Sequence, residues 1–439
     1  MKLQRKSLRT VAVAATASMA FILTGCLGAS SSTDGDDITL EYWDHSGNAD
    51  EQEMIRQILT DFEDSHPGIS VDFLSLPADS ALQKLNTAIS SGSTPDVSSI
   101  SGSMLSPFVA QDALEPLDER LADSELAAGL DEGSIEAVKA DAGGSLFSLP
   151  FTIGSAALWY RSDWFEDAGL NGIQTWDDFY SAADHFTDSE DGTYGFTLRG
   201  GSGGVFPLLQ YMYAYSGVDE LFTDDGVSTI DDQANIDAVE RYIALYKTAT
   251  PEADLNNGFA QMVEQFDSGQ VAMLQHNLGS LANHEAALPD KFEAAMFPPS
   301  VDGPNVVLSD PIQQYVMYSS TDHPDEAWEL IEYLMSAGVN STVNELKGQL
   351  PVNLDARDEP WVGSLQALSA ARDLLASPDT VVFAPPLYLP EYSDVIRNDM
   401  EPMLQQLLSG EISANDFLGH LADALTVAQS AYDERAGGN

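Results

Sequence analysis

Residues 38–76, ITLEYWDHSGNADEQEMIRQILTDFEDSHPGISVDFLSL, decide the fold of this 439-residue chain. ITLEYW alternates apolar and polar residues, as a half-buried strand does, and ISVDFLSL predicts a second strand. Between them, Met54, Ile58 and Phe62 recur at four-residue spacing, which predicts a helix with one apolar face. Because a helix that joins two strands favours their parallel pairing, the sequence predicts an α/β fold.

The same alternation of strand and helix continues along the chain. AALWYR (156–161) predicts a strand, and TWDDFYSAADHF (175–186) predicts a helix with Thr175 as its N-cap. HPDEAWELIEYLMSAG (323–338) predicts a helix that ends at Gly338. The region from residue 38 onward is longer than one hydrophobic core usually holds, so we expect two lobes.

The N-terminal segment is typical of an export signal. Basic residues precede a short apolar run at 11–23, too short for a membrane-spanning helix of roughly 20 residues, so residues 1–25 read as a signal peptide. Leu23-Thr24-Gly25-Cys26 resembles the lipobox of bacterial lipoproteins, in which the cysteine becomes the lipid-bearing first residue. Residues 26–37 are then a lipidated Cys26 and a flexible tether. We expect an exported protein, lipid-anchored at the extracellular face of the cell membrane.

Charge and composition exclude several functions. The chain carries 70 Asp and Glu against 18 Lys and Arg, a formal net charge of −52, which repels nucleic acid and disfavours anionic substrates. A neutral ligand fits this charge better. Cys26 is the single cysteine, so disulfides and thiolate metal sites are excluded, and the seven histidines lack any H-E-x-x-H spacing. We expect no cofactor and no metal ion.

Several segments match one family in order and spacing. They include YWDHSG (42–47), KLNTAISSGSTPDV (84–97), LWYRSDWFEDAGL (158–170), FDSGQVAML (266–274) and KGQLPVN (347–353). The chain resembles the extracellular solute-binding proteins of ABC importers, in the carbohydrate-binding, maltose-binding-protein-like subgroup. The resemblance implies a two-lobed, periplasmic-binding-protein-like fold with a ligand cleft between the lobes and hinge strands. It also implies a monomer that captures an oligosaccharide outside the cell and delivers it to ABC permease subunits, without catalysis.

The family pattern also predicts that the chain crosses between the lobes more than once. We place lobe one at 38–150 plus 308–352, and lobe two at 151–307 plus 353–439.

A carbohydrate site needs aromatic platforms and side chains that both donate and accept hydrogen bonds. Trp43, Asp44 and His45 stand where the first strand ends, which is where α/β sheets present ligand loops. Trp43 could instead belong to the core, and Asp44 could cap a loop.

The resemblance carries further residues into the expected site. Tyr160 and its neighbour Trp159 point to opposite faces of a strand, so only one of the two can contact ligand. Tyr392 could equally pack within a helix. The remaining positions are Ser101, Ser103, Thr152, Gly203, Phe206, His276, Asn277, Gly279, Asp310, Tyr388 and Glu391.

Two alternatives stay open. Gly200-Gly201-Ser202-Gly203-Gly204 satisfies the G-x-S-x-G pattern of hydrolases, but the glycines are dense here and no HGGG-type oxyanion motif occurs. The alternative function from another class of protein is a secreted hydrolase that uses Ser202 or a pair of carboxylates. Within binding proteins, the alternative ligand is another polar solute such as a polyol, a glycoside or a peptide.

Overall fold

The structure is a computed structural model that describes residues 38–45, 49–154, 156–309, 313–364 and 366–437. Cys26, the signal peptide and tether, and Asp310 lie outside the described residues. The strands are β1 (Ile38–Asp44), β2 (Ile69–Ser75), β3 (Val97–Ser101), β4 (Ser148–Pro150), β5 (Thr152–Ile153), β6 (Ala156–Tyr160), β7 (Tyr194–Thr197), β8 (Val271–Asn277), β9 (Glu293–Ala295), β10 (Asn305–Leu308), β11 (Gln313–Met317), β12 (Leu350–Pro351) and β13 (Thr380–Phe383).

Helices separate most of these strands. They are α1 (Ala49–Ser65), α2 (Ala78–Ser91), α3 (Gly102–Val109), α4 (Asp118–Asp123), α5 (Glu132–Asp141), α6 (Ser162–Ala168), α7 (Trp176–His185), α8 (Val205–Ser216), α9 (Gln233–Ile243), α10 (Phe259–Asp267), α11 (Leu281–Ala287), α12 (Pro324–Met335), α13 (Ala337–Lys347), α14 (Leu354–Arg357), α15 (Pro360–Ser364), α16 (Gln366–Leu375), α17 (Tyr392–Asp394), α18 (Glu401–Ser409) and α19 (Ala414–Gly437). In the part of the chain that the structure describes, none of them combines the length and apolarity that crossing a membrane requires.

The first sheet has the strand order β2-β1-β3-β11-β4. β1 runs parallel to β2 and β3, whereas β11 runs antiparallel to β3 and β4. Gln313, at the start of β11, pairs with Ser101, at the end of β3. The carboxyl ends of β1, β3 and β4 therefore share one edge of the sheet with the start of β11.

The second sheet has the order β7-β8-β6-β9. β7 and β8 are parallel, and β6 is antiparallel to β8, with Ala156 opposite Asn277. The carboxyl ends of β7 and β8 therefore lie at the same edge as the start of β6. In both sheets this edge is where α/β proteins bind ligands.

Buried apolar side chains form two clusters that the second sheet separates. Alternate residues of β6 belong to different clusters: Trp159 packs into the cluster that includes the first sheet, and Leu158 into the cluster around α8, α9 and α19. The alternation is the period of two that strand geometry imposes. The predicted α/β class is confirmed, and the architecture is two-lobed.

Two chain crossings between the sheets lie side by side. β5 pairs with β12 in a short antiparallel ladder, Leu350 opposite Ile153 and Pro351 opposite Thr152. Asn340 Nδ2 and Asn344 Nδ2 both donate to the carbonyl of Phe151, at 2.8 and 2.9 Å. Asn340 Oδ1 also accepts from the backbone N–H of Asn353, at 3.1 Å. Buried amides of α13 thus fix the backbone of both crossings.

These crossings support, as a proposal, the lobe boundaries given above. β11 returns to the first sheet, and α12 and α13 pack beside α1, whereas α16 lies against β9 of the second sheet.

One of two helix-end predictions agrees with the structure. Thr175 and Asp178 form a reciprocal capping box at the start of α7. Gly338 was wrongly read as a helix stop: α12 ends at Met335, because Ser336 takes an extended ψ of 150°, and Gly338 lies inside α13. A glycine in a helix interior costs some stability but does not by itself end the helix.

Candidate ligand cleft

Asp44 and His45 lie at the carboxyl edge of the first sheet and are joined through Ser99 of β3. The Ser99 hydroxyl donates to Asp44 Oδ2 at 2.7 Å, so its oxygen can only accept from His45, whose backbone N and Nδ1 lie 3.1 and 2.9 Å away. His45 therefore carries its proton on Nδ1, which leaves Nε2 as an acceptor. Burial is the main cause that lowers the pKa of His45, so the ring is neutral.

This arrangement is not a hydrolase triad. The serine proton points to the aspartate and not to the histidine, and Ser99 is fully buried.

Neutral polar atoms continue along the same edge. Ser101 Oγ and Ser103 Oγ are 2.8 Å apart at the start of α3. Within the described residues, Gln313 Oε1 and Ser75 Oγ are buried and have no hydrogen-bond partner. Because an unpaired buried polar atom costs free energy, these two atoms mark places where a ligand hydroxyl would be stabilising.

Lys347 and Gln349, which sequence reasoning did not assign to the site, connect this edge to the second sheet. Gln349 Oε1 accepts from the Thr152 hydroxyl at 2.8 Å, and Lys347 Nζ lies 3.2 Å from Glu51 Oε1. The Lys347 charge also lowers the pKa of His45, which shows that the two side chains are close. The signal available in the sequence was the segment KGQLPVN itself, where Gly348 ends α13 in a left-handed conformation (φ 62°).

His276, Asn277 and Gly279 occupy the facing edge of the second sheet. The His276 ring stacks on Phe259 at a centroid distance of 4.3 Å. Burial, and next the charge of Arg199, lower the pKa of His276 to about 3, so it is neutral. Asn277 Oδ1 accepts from Gly279 N at 3.1 Å. A Cβ at Gly279 would lie 3.5 Å from Gln349 Nε2, so the loop after β8 contacts the Lys347–Gln349 segment.

The glycine-rich loop between β7 and α8 lies beside His276. Gly203 takes a positive φ of 76°, and its N–H donates to Glu401 Oε1 at 2.7 Å. Arg199 Nε donates to the carbonyl of Ser202 at 2.6 Å. Phe206, in the first turn of α8, is partly buried against the second core cluster. Ser202 is exposed, and in the described chain no histidine hydrogen-bonds to its side chain. This loop therefore does not support the hydrolase alternative.

The structure removes Tyr160 and Tyr392 from the candidate site. β6 starts at the ligand edge and runs away from it, so Tyr160 lies at the far end, buried, with its hydroxyl donating to Glu293. Tyr392 is buried in the core around α8 and α19, as the packing alternative predicted.

Three further aromatic or acidic candidates are held in other contacts. Trp43 is partly buried and packs against the first core cluster. Glu391 pairs with Arg435 at 3.5 Å, far along the chain in α19. Tyr388 bonds to Gln429 through its hydroxyl, at 2.6 Å.

Tyr388 nevertheless contacts α3, the helix that follows β3 of the first sheet. Its carbonyl accepts from Ser106 Oγ of α3 at 3.4 Å, and its ring stands edge-on to Tyr432, with centroids 5.0 Å apart.

The retained residues bring mostly uncharged donors and acceptors to the two sheet edges, with Asp44 and Lys347 as charged exceptions and the His276–Phe259 ring stack as the aromatic surface. They are Asp44, His45, Ser101, Ser103, Thr152, Gly203, His276, Asn277 and Gly279, with Gln313, Lys347 and Gln349 added from the structure. Among the described residues, no group of three or more His, Cys, Asp or Glu side chains could hold a metal ion.

A two-lobed α/β protein with polar groups on both facing sheet edges is a solute-binding protein in architecture. The chain belongs to the bacterial extracellular solute-binding protein family, whose model matches residues 48–341, more than half of its length. A candidate binding protein of Brucella abortus is 27% identical over 383 residues, which are 85% of this chain and 90% of that protein.

Solved structures agree with this assignment. A solute-binding protein of an ABC transporter from Thermotoga lettingae, bound with α-D-tagatose, is 25% identical with a TM-score of 0.73, covering 89% of this chain and 100% of that one. The sugar-binding protein MalE of Xanthomonas citri has a TM-score of 0.75 at 20% identity, covering 91% and 100%. These relatives are binding proteins, and the MalE likeness concerns the fold.

Proposed function

We propose that this chain captures a carbohydrate, an oligosaccharide in the first instance, and delivers it to the permease of an ABC importer. The observation that carries the proposal is the pair of facing sheet edges. Most donors and acceptors on these edges are uncharged, and among the described residues the buried acceptor Gln313 Oε1 has no hydrogen-bond partner. Hydroxyl groups satisfy such atoms without bringing in a charge. The tagatose-bound relative supports a sugar as the ligand.

The anchoring and location are part of the same proposal. Lipid attached to Cys26 would hold the protein at the extracellular face of the membrane, where it meets both solute and permease. The export signal and the family's role outside the cell support this placement. The partners are then the permease subunits, and the working form is a monomer.

A ligand screen tests the proposal directly. Purified full-length protein is mixed with mono- and oligosaccharides, polyols and short peptides, and the melting temperature is measured. Binding adds RT ln(1 + [L]/Kd) to native-state stability, about 2.7 kcal/mol at a hundredfold excess over Kd, so a true ligand raises Tm by degrees. Shifts that occur only with peptides, or a sugar that is consumed overnight, would contradict the carrier proposal.

Gln349 offers a first test of the cleft. Gln349→Met keeps the side-chain length but removes the amide that bonds to Thr152 and faces the loop after β8. We expect affinity for the ligand found in the screen to fall about tenfold, since one or two hydrogen bonds are worth about 1 to 2 kcal/mol. Calorimetric titration measures it. The matched control is Gln233→Met, an exposed glutamine of α9, which should bind as the unaltered protein does. Equal affinities for both variants would place the cleft elsewhere.

A further inference from the structure

Arg199 stands in the candidate cleft with most of its hydrogen-bonding capacity unused. It follows β7 at the ligand edge, and the residue is partly exposed. Nε donates to the Ser202 carbonyl at 2.6 Å. Across the described residues, no carboxylate oxygen lies within 4.0 Å of the guanidinium nitrogens. The two terminal nitrogens therefore keep their N–H groups available.

The guanidinium lies close against this loop. A Cβ on Gly203 would lie 2.4 Å from Arg199 Nη2 and 2.7 Å from Cζ, so a larger residue at 203 would force the guanidinium to shift. The positive φ of Gly203, 76°, is a separate reason for glycine at this position.

The neighbouring groups keep the arginine charged without neutralising it. Burial lowers the pKa of Arg199, and the Glu401 carboxylate raises it again. One oxygen of Glu401 is already bonded to Gly203 N. His276 beside it is uncharged. The other cation of the cleft, Lys347, has its own partner in Glu51 at 3.2 Å. Glu401 thus acts on Arg199 from a distance, and the terminal N–H groups of the guanidinium stay available for a ligand group.

We propose that Arg199 binds a carboxylate on the ligand, so that the substrate class is a carbohydrate containing uronic acid. The inference rests on the proposed carbohydrate-binding function. A planar guanidinium pairs with both oxygens of a carboxylate through parallel N–H groups, and such charge-assisted bonds are about twice as strong as neutral ones. A neutral diol could also accept two N–H groups, but its bonds to the guanidinium would lack the charge assistance that a carboxylate provides.

This inference modifies the expectation from composition. The net charge of −52 disfavours anions on average, yet exposed charges beyond roughly 10 Å are largely screened at 0.1 M salt. A local arginine at the cleft therefore outweighs distant surface carboxylates.

Matched sugars of one shape test the proposal. Calorimetric titrations of the full-length protein compare galacturonate with galactose, and glucuronate with glucose. The same comparison is made for the α- and β-linked dimers and trimers of these sugars. The methyl esters of the uronates serve as neutral analogues. We expect the uronate form to bind 10- to 100-fold tighter than its ester, and Arg199→Gln to abolish this ratio while Arg199→Lys restores part of it. Arg397→Gln, an exposed arginine outside the cleft, should keep the full ratio.

The outcomes are distinguishable. Neutral sugars or esters that bind as tightly as uronates overturn the Arg199 inference and leave the carbohydrate proposal standing. Binding of no carbohydrate at all overturns both. If Arg199→Gln keeps the same ratio of uronate to ester affinity, a different group binds the carboxylate, and the inference is also overturned.

Discussion

Asn340→Leu is expected to lower the free energy of unfolding by about 3 kcal/mol, although leucine has a similar volume. The amide of Asn340 donates to the Phe151 carbonyl and accepts from Asn353 N–H, so it bonds to both crossings between the lobes. Leucine leaves the Asn353 N–H without its partner in a buried position and halves the donors to Phe151. Each unsatisfied buried group costs about 1 to 3 kcal/mol. Urea unfolding, followed by circular dichroism, measures the change.

The control for this substitution is Asn398→Leu, since Asn398 is exposed in the helical turn before α18. Its stability should stay within about 0.5 kcal/mol of the unaltered protein, as is usual for surface changes. If both variants unfold at the same urea concentration, the asparagine network does not stabilise the crossings.

Asp141→Asn is expected to raise stability at pH 8 by about 3 kcal/mol and to remove a pH dependence. Asp141 ends α5 and is buried, and burial raises its pKa from 3.8 to about 7. A raised pKa means that the folded state binds the proton more tightly than the unfolded state does. The protonated carboxyl therefore contributes its full stabilisation below pH 4, and this stabilisation is lost as the pH rises through 7. Asparagine has no charge to desolvate, and a shift of about three pKa units corresponds to roughly 4 kcal/mol at most.

Thermal melts of both proteins from pH 4 to pH 8 make the comparison. The melting temperature of the unaltered protein should fall relative to Asp141→Asn across this range, and the two curves should meet near pH 4. Asp123→Asn, an exposed carboxyl at the end of α4, should follow the unaltered protein. If Asp141→Asn and the unaltered protein change stability equally between pH 4 and pH 8, the titrating group is not Asp141.

The regular elements could be predicted because their signals are local. Four-residue spacing gave α1, and the apolar alternation gave β1 and β2. Strand ends then placed Asp44 and Ser101 at a ligand edge, since parallel strands align their carboxyl ends. Tyr160 was assigned to the site from the family resemblance. Strand alternation gives the face of a residue, but not whether the strand runs toward the ligand edge or away from it. That direction depends on pairing with β8, more than 100 residues away.

Lys347 and Gln349 could not be found this way, because their role depends on a contact between distant segments. Gln349 contacts Thr152, which lies 197 positions earlier in the chain, and nothing within KGQLPVN predicts that partner. The unpaired acceptor Gln313 Oε1 could not be predicted from the sequence either, because its burial and its lack of a partner depend on how the strands of the sheet pack together.

The β5–β12 ladder also determines how the lobes can move. The two crossing strands are hydrogen-bonded to each other. Twisting one strand about its own axis would break these bonds, whereas bending both strands together would keep them. The permitted motion is therefore a swing about an axis that crosses both strands. Fluorescent labels on the two lobes should then report a change in the distance between the lobes when ligand binds.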